Sequence, residues 1–449
     1  MRLSTLLAPD LAETLRTSPD QAIELAEELH AVDLADLILG ISDEQAAPFV
    51  AALPLDKAAG AFDAMTLDRR VQLFGKLERS LAARIADAMS ADERADLFKE
   101  LPDEVRSDLL ARMPKDAQTD VRELIRYPET SAGGLMTTDY VAVDIAHTVE
   151  RAIDQVRSTA EQMETIYEAY AVDPNGTLLG VVSLRDLVLA RAGQPIAAVM
   201  NPDVISVPPE MDQEDVAHLF EHYDMLALPV VDATRKMLGI VTVDDVVKVL
   251  KQEQAEDIQK MGAVAPTEEP YFQTDFWTMV KKRAGWLIAI FLGEILTASV
   301  LEHYEAARRA FQAIEVFVPL IISSGGNTGS QASSLVIRGL ALEEFSPGDA
   351  IKILWRELRT GLVLGCILGC IGLLRATLVG HSGGHGMSAA VGLSLIACVT
   401  FGSVAGSGLP LLIKRLGFDP AVSSGPFIAS LVDVLGIIIY MNIAIWILG

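Results

Sequence analysis

The sequence predicts a multidomain membrane protein: an all-α N-terminal domain, an α/β domain of two similar halves, a connecting helix and a membrane domain of five helices. Three observations predict this class. The net charge of −25 lies in the first 270 residues, whereas the remainder is nearly neutral. Residues 135–250 contain an internal duplication, and five apolar segments follow residue 284. We expect four parts: residues 1–130, 131–250, 251–270 and 271–449.

The first part, residues 1–130, is predicted to be entirely helical. Ser or Asp caps and prolines separate short segments in which apolar residues recur every three or four positions. The recurrence of Leu-Pro or Met-Pro followed by an acid resembles a small helical solenoid. Asp92 and Asp96 share a helix face and could bind a divalent ion together with a facing domain. A solvated helix face is the alternative interpretation of that pair.

The acidic composition of residues 1–270 bears on possible partners. Such a surface repels nucleic acid and anionic lipid headgroups and attracts cations, although general solubility is an alternative reason for it. Residues 1–20 lack the long apolar core of a signal peptide, so we expect the acidic part to stay in the cytoplasm.

The second part contains two similar sequences. The first copy closes with the segment 172–188, which includes Gly180-Val181-Val182-Ser183, and the second with 231–247, which includes Gly239-Ile240-Val241-Thr242. Each copy is predicted to fold as helix, strand, turn, strand and helix. This pattern resembles a tandem pair of CBS domains.

CBS pairs often bind adenine nucleotides in a cleft, and the resemblance implies ATP as a regulatory ligand here. It places Ser183, Arg185 and Asp186 at the ribose and phosphates and Tyr170 beside the base. An ordinary helix N-cap explains Ser183 equally well.

A polar helix is predicted from Val246 to about Met261, directly before the membrane segments. It lacks the Gly, Ser and Pro that a flexible linker carries. A rigid connection of this kind is typical of an element that transmits movement from a sensor to a membrane domain.

The five apolar segments are predicted to span a membrane, with bounds of roughly 285–301, 313–337, 358–378, 387–413 and 426–448. Lys and Arg are more frequent in the loops on the side of the N-terminal half. This bias predicts a multi-pass protein of the cytoplasmic (inner) membrane, with its N-terminus in the cytoplasm and its C-terminus outside.

Asp433 lies in the middle of the last apolar segment. A charge near the bilayer centre costs about 3 kcal/mol on insertion scales, so it rarely faces lipid. Ala429 and Gly436 share its helix face, which lets an ion or another helix approach. We therefore predict that Asp433 lies on a cation pathway. A neutral Asp that bonds to a neighbouring helix is the alternative.

The second apolar segment carries the polar stretch 323–331. Its helical spacing aligns Ser324, Asn327, Gln331, Ser334 and Arg338 on one face. Polar groups at membrane depth must be buried or hydrated, so this face contacts a partner helix or lines water. We favour a pore lining over a seam of small residues, because an amide stripe and an acid suit a hydrated cation.

The whole chain resembles the MgtE family of magnesium channels and transporters. The most specific stretches are Ser324-Gly-Gly-Asn-Thr-Gly-Ser-Gln331, Leu416-Gly-Phe-Asp-Pro-Ala421 and Leu431-Val-Asp433-Val. The segment Glu256-Asp-Ile-Gln-Lys-Met-Gly-Ala-Val264 in the connecting helix is also similar. The resemblance implies a homodimer with one pore, in which Asp433 binds hydrated Mg²⁺ and Asn327 lies nearby.

The resemblance also implies that cytosolic Mg²⁺ binds between acidic surfaces and closes the pore. The acids at matching positions are Asp92, Asp96, Glu214, Asp224, Asp244, Asp245, Glu256, Asp257 and Asp419. Lys248 stands where another acid is expected, and neither Glu294 nor Glu315 receives a definite role.

Three other functions agree with parts of the sequence. A CBS-regulated transporter of Mn²⁺ or Co²⁺ is the main alternative, although oxygen ligands without His or Cys at the pore disfavour soft metals. A membrane-anchored enzyme is disfavoured because the sequence has no nucleophile–base pair and no P-loop. A pure sensor does not need a polar stripe and an acid inside the membrane.

Overall fold

The computed structural model describes residues 13–14, 17–267, 271–272, 274–310, 313–379 and 384–448. The chain divides into two compact units, Met1–Leu250 and Lys251–Gly449. Residues 1–12 lie outside the described ranges and include much of the segment 1–20 that lacks the pattern of a signal peptide. The expected domain boundary at residue 270 also lies outside these ranges.

The N-terminal domain is built from nine described helices. They are α1 (Pro19–Glu28), α2 (Ala31–Leu39), α3 (Asp43–Ala52), α4 (Leu55–Asp63), α5 (Leu67–Phe74), α6 (Arg79–Ala88), α7 (Ala91–Glu100), α8 (Asp103–Arg112) and α9 (Lys115–Leu124). Each helix from α1 to α7 packs against the helix two positions further along the chain. This is the stacking of a helical solenoid.

Buried arginines join successive helices of this solenoid. The Arg70 Nη2 group donates to the carbonyl of Met65 at 3.0 Å, at the end of the preceding turn. The Arg94 Nη1 group donates to the carbonyl of Met89 at 3.3 Å, and Arg106 binds the end of its preceding helix in the same way. These guanidinium groups satisfy carbonyls that have no partner within their own helix.

The duplicated domain has the predicted order of elements in both copies. Its strands are β1 (Val141–Asp144), β2 (Glu168–Val172), β3 (Leu178–Ser183), β4 (Ala227–Val231) and β5 (Met237–Thr242). Its helices are α10 (Ala132–Leu135), α11 (Val149–Thr159), α12 (Leu184–Leu189) and α13 (Gln213–Tyr223). The β1 strand pairs parallel with β2, and β2 pairs antiparallel with β3. In the second copy, β4 and β5 form the corresponding antiparallel pair.

The connecting helix α14 (Val243–Met261) is a single continuous helix of 19 residues, and the division between the two units falls within it. It begins immediately after β5 and contains no glycine or proline. The sequence-based prediction of a helix here is confirmed.

The second unit consists mainly of long helices. They are α15 (Phe276–His303), α16 (Glu305–Ala310), α17 (Ala313–Ala341), α18 (Ala350–Val379), α19 (Gly384–Arg415) and α20 (Gly425–Leu448). The α15 helix begins nearer the N-terminus than predicted because the Asp275 carboxylate accepts hydrogen bonds from the amides of Trp277 and Thr278, at 2.9 and 3.2 Å.

Among the described residues, four helices are long and apolar enough to cross a membrane by length and composition: Phe276–His303, Pro347–Leu378, Gly386–Arg415 and Gly425–Leu448. The remaining predicted span, 313–337, lies in α17. That helix has 29 residues, but the polar stretch 323–331 interrupts it, and it is not among the four. The count of five spans therefore stays a prediction.

Glycines bring α17 and α19 into backbone contact. A methyl group on Gly402 would lie 2.4 Å from the carbonyl oxygen of Gly325, and one on Gly406 would lie 2.1 Å from that of Gly329. Because both pairs repeat at a spacing of four residues, the two helices touch along a seam. The glycines of α17 thus form a packing face, and the polar side chains of this helix lie on other faces.

Candidate cation and metal sites

Asp433 lies in the middle of α20 and faces α17. A methyl group on Gly326 would be 3.1 Å from the Asp433 Oδ1 atom and 3.4 Å from the Cα atom of Ala429. Gly326 therefore lets the two helices approach closely, because a methyl group there would press on the carboxylate. Asn327 follows Gly326 directly in α17 and donates to the Ser323 hydroxyl at 3.3 Å. Within the described residues, Asp433 accepts no hydrogen bond, which disfavours the alternative of an Asp bonded to a neighbouring helix.

The polar stripe of α17 is only partly engaged by the chain itself. The hydroxyls of Ser324 and Ser334 donate to carbonyls of their own helix, at 2.7 and 3.0 Å. Asn327, Gln331 and Arg338 are exposed on the surface of the single chain. This face is therefore available to water or to another molecule.

The two further membrane acids differ in their surroundings. Glu315 forms an ion pair with Arg308 at 2.7 Å, which neutralises its charge. Glu294 is exposed on α15 and, within the described residues, forms no ion pair or hydrogen bond.

An acidic cluster joins the helical domain to the second CBS copy. Ligand oxygens of Asp92, Glu93 and Asp245 lie within 4.8 Å of one another, a spacing that one metal ion could bridge. Asp92 and Glu93 stand in the first turn of α7, and Asp245 stands in the first turn of α14. Three carboxylates from two domains form a donor set that suits Mg²⁺ or Ca²⁺.

Lys248 already occupies part of this cluster. Its Nζ atom lies 2.9 Å from Glu93 Oε1 and 2.9 Å from Asp245 Oδ1. Burial lowers the pKa of Lys248, but these two carboxylates outweigh burial and hold that pKa well above its usual range. The lysine thus supplies one tethered positive charge where the sequence analysis expected an acid.

The surroundings of the cluster are crowded with negative charge. Burial and the neighbouring carboxylates of Asp244 and Asp245 raise the pKa of Glu164 to about 7. Burial raises the pKa of Asp63 to about 6, and burial with Asp245 nearby raises that of Asp92 well above its usual value. A cation that approaches these carboxyl groups stabilises their charged form.

The other predicted regulatory acids do not belong to this group among the described residues. Asp96 forms an ion pair with Lys99 at 3.0 Å, and the Asp244 carboxylate accepts a hydrogen bond from Thr242. Glu214 stands in the first turn of α13, whereas Asp224 follows its last turn in a left-handed conformation, φ 50°. Glu214 and Asp224 are thus at opposite ends of one helix.

A second lysine lies between the acids near the membrane helices. Lys260 Nζ is 2.5 Å from Glu256 Oε1 and 2.6 Å from Asp419 Oδ2. The pair joins α14 to the loop before α20, and Asp419 also accepts from the amide of Ala421 at 2.8 Å. A metal ion at these two carboxylates must therefore displace Lys260 or bind beside it, with Asp257 next in sequence.

The candidate nucleotide site lies beside α12. A cavity of about 580 Å³ is lined by Tyr167, Ser183, Leu184, Arg185, Val188, Leu189 and Leu226. Ser183 caps α12 and donates to the Asp186 carboxylate at 2.6 Å. Tyr170, which the sequence analysis places beside a base, does not line this cavity. Its ring is fully buried in the domain core, 6.0 Å from the ring of Tyr140.

Several residues of these sites were missed by the sequence analysis. Glu93, Asp63 and Glu164 are ordinary acids in an acidic sequence, and only the contact between domains selects them. Tyr167 could have been found, because it lies just before β2 and side chains alternate along a strand. Nothing in the sequence indicates the role of Lys260, because its contact with Asp419 forms only in the folded chain.

Comparison with known proteins shows the family of the chain. A family model described as a divalent cation transporter, MgtE, matches residues 318–443, which contain Asn327 and Asp433. The model of the MgtE intracellular N domain matches residues 29–130, and CBS domain models match 132–193 and 196–252. The magnesium transporter MgtE of Thermus thermophilus is 41% identical over 327 residues, which is 73% of this chain and 72% of that protein. The chain belongs to the MgtE family of magnesium transporters.

Other MgtE proteins support this assignment. The magnesium transporter of Enterococcus faecalis is 36% identical over 72% of this chain and 71% of its own length. A crystal structure of the soluble part of a magnesium transporter has a TM-score of 0.53 and 32% identity, and covers 56% of this chain and 100% of that chain. The cytosolic domain of the Mg²⁺ channel MgtE in complex with ATP has a TM-score of 0.51 and 38% identity, over 54% of this chain and 100% of its own. MgtE is a family of transporters rather than of enzymes.

Proposed function

We propose that this protein is a homodimeric, Mg²⁺-selective channel that imports magnesium across the cytoplasmic membrane and is closed by cytosolic Mg²⁺. The observation that carries the proposal is the position of Asp433, which faces Gly326 in a bundle of apolar helices. Membership of the MgtE family supplies the transported ion.

The exposed polar stripe of α17 supports a second copy of the chain. Asn327 and Gln331 are exposed at membrane depth, where lipid offers their amide groups no hydrogen bonds beyond the one that Asn327 donates to Ser323. A second copy that packs on this face encloses the stripe, so that two stripes and two Asp433 carboxylates line one aqueous path. Polar groups that face an aqueous path form hydrogen bonds to water and need no partner from the protein.

The chemistry of this path suits hydrated Mg²⁺. Mg²⁺ loses its water reluctantly and often binds to proteins through one or two carboxylates while it retains several waters. Carboxylate and amide oxygens can accept hydrogen bonds from those waters. A monovalent ion carries a smaller charge, so its electrostatic attraction to the same carboxylates is about half as strong.

Closure follows from the acidic contacts. Without divalent ions, the carboxylates around Asp92 and Asp245 repel one another, and Lys248 offsets only part of that charge. Bound Mg²⁺ neutralises the rest and favours a compact arrangement, which α14 transmits toward the membrane helices. The channel then closes when cytosolic Mg²⁺ is plentiful.

Flux into liposomes tests this function. We expect the purified protein in liposomes to pass Mg²⁺ when the Mg²⁺ concentration on the cytosolic face is low, and to pass little when it is several millimolar. The readout is a Mg²⁺-sensitive dye inside the liposomes, with Mn²⁺ and Co²⁺ tested in parallel. Flux that does not respond to cytosolic-face Mg²⁺ would contradict the closure mechanism.

The cavity beside α12 is proposed as a site for an adenine nucleotide. Its apolar wall, which includes Val188 and Leu226, suits a base, and the Arg185 guanidinium suits phosphate oxygens. The ATP complex of the related cytosolic domain supports this ligand. Tyr167, which is 64% exposed at this cavity, takes the role that the sequence analysis gave to Tyr170.

Replacing Arg185 with alanine is expected to weaken ATP binding. Loss of a hydrogen bond to a charged phosphate costs about 1.5–3 kcal/mol, so the dissociation constant should rise by about tenfold or more. Isothermal titration calorimetry of the purified protein measures this change. Arg191→Ala is the matched control, because Arg191 is exposed nearby and does not line the cavity. Equal affinities of the two variants would place the phosphates elsewhere.

A further inference from the structure

Glu294 is an acid at membrane depth for which the family assignment offers no role. It lies in the apolar helix α15, where a carboxylate is costly unless it faces water, a partner or an ion. Within the described residues, it has no hydrogen bond or ion pair. Its position relative to Asp433 can be derived from the contact between α15 and α20.

Two contacts fix the alignment of these helices. A methyl group on Gly293 would lie 2.7 Å from the Ser430 Oγ atom. Near the other end, the Asn442 amide donates to the Tyr304 hydroxyl at 2.8 Å. From the first contact to the second, residue numbers rise in both helices and by nearly the same amount. The two helices are therefore parallel. Glu294 and Asp433 therefore lie at nearly the same depth, within about 3 Å along the axes at 1.5 Å per residue.

The two acids also lie on the same side of this contact. Glu294 follows the contact residue Gly293 by one position, and Asp433 follows Ser430 by three. For parallel right-handed helices, these offsets turn both side chains toward the same flank of the seam. On that flank Asp433 also approaches Gly326 of α17.

Unsatisfied hydroxyls accompany the acids. The Oγ1 atom of Thr297, one turn after Glu294, and the Oγ atom of Ser430, one turn before Asp433, are buried and have no hydrogen-bond partner among the described residues. Thr297 is 9% exposed and Ser430 is 6% exposed. Buried hydroxyls without partners are uncommon, and two of them beside two carboxylates are available to ligand waters.

We propose that Glu294 is a second carboxylate of the cation site and sets its preference for divalent over monovalent ions. This inference rests on the proposed role of Asp433. A hydrated divalent cation at Asp433 lies within electrostatic reach of Glu294, and the Thr297 and Ser430 hydroxyls accept or donate hydrogen bonds to its waters. Two carboxylates per chain favour a doubly charged ion more strongly than a singly charged one.

The test is Glu294→Gln in the full-length protein, reconstituted in liposomes. We expect the external Mg²⁺ concentration for half-maximal flux to rise by about tenfold, as befits the loss of a unit charge from a partly hydrated site. We also expect the ratio of Mg²⁺ to K⁺ flux to fall by a similar factor. Glu294→Asp keeps the charge and should restore most of both values.

Glu302→Gln is the matched control, because Glu302 is exposed on the same helix about 12 Å further along. Its effect should stay within about twofold and vanish at high ionic strength. The inference is overturned if Glu294→Gln behaves like this control in both measurements. Asp433→Asn in the same series separates the two ideas: if that variant still passes Mg²⁺, the proposed function itself fails, and the role of Glu294 fails with it.

Discussion

Asp433→Asn is expected to lower Mg²⁺ flux by at least about 100-fold. The amide has the shape of the carboxylate but no charge, so the helix contact with Gly326 is preserved. A unit charge about 4 Å from an ion contributes about 4 kcal/mol at an effective dielectric constant of 20, and each 1.36 kcal/mol of barrier is tenfold in rate. Even half of this energy, with two carboxylates on the path, supports the expected loss.

Flux of Mg²⁺ into liposomes measures the effect, and size-exclusion chromatography checks that the variant keeps the oligomeric state of the wild type. Glu302→Gln removes an acid from the exposed surface of α15 and should retain flux. Near-normal flux through a folded Asp433→Asn variant would remove this residue from the cation path.

Neutralising Glu256, Asp257 and Asp419 together is expected to leave the channel open at cytosolic Mg²⁺ concentrations that close the wild type. Moving an equilibrium from almost closed to almost open takes about 5.5 kcal/mol. Three charge-assisted contacts of about 1.5–3 kcal/mol each can supply this energy. The variant also removes both partners of Lys260, so neither the lysine nor a metal ion can hold α14 against the loop before α20.

The measurement is flux at low and high Mg²⁺ on the cytosolic face of the liposome. A control removes the same number of charges from exposed acids of the helical domain, by Glu104→Gln, Asp116→Asn and Glu123→Gln. This control should close as the wild type does. Normal closure of the first variant would exclude those three acids from the gate.

The two lysines change the expected mechanism of regulation. Lys248 and Lys260 each lie between two carboxylates that the family resemblance would assign to metal ions or their neighbours. Part of the charge that a divalent ion would neutralise is therefore neutralised by the chain itself. The proposed metal-dependent closure would therefore depend on the acids that the lysines leave uncompensated, such as Asp92, which has no ion pair among the described residues.

Local sequence determined the secondary-structure elements and singled out candidate residues in the membrane helices. Periodicity and capping residues predicted the helical domain and the connecting helix, because both features act within a few residues. The duplication predicted the order of strands and helices in both CBS copies. Asp433 could be singled out since one acid in an apolar helix has a large energetic cost wherever the helix packs.

Only the tertiary structure decided which side chains meet. It joined Glu93 to Asp245, placed Lys260 between Glu256 and Asp419, and buried the Tyr170 ring. It also aligned Glu294 with Asp433 across two helices that are distant in sequence. The physical reason is that charge–charge contacts depend on distances of a few ångströms between separate elements, whereas sequence patterns fix only the face of one element on which a residue lies.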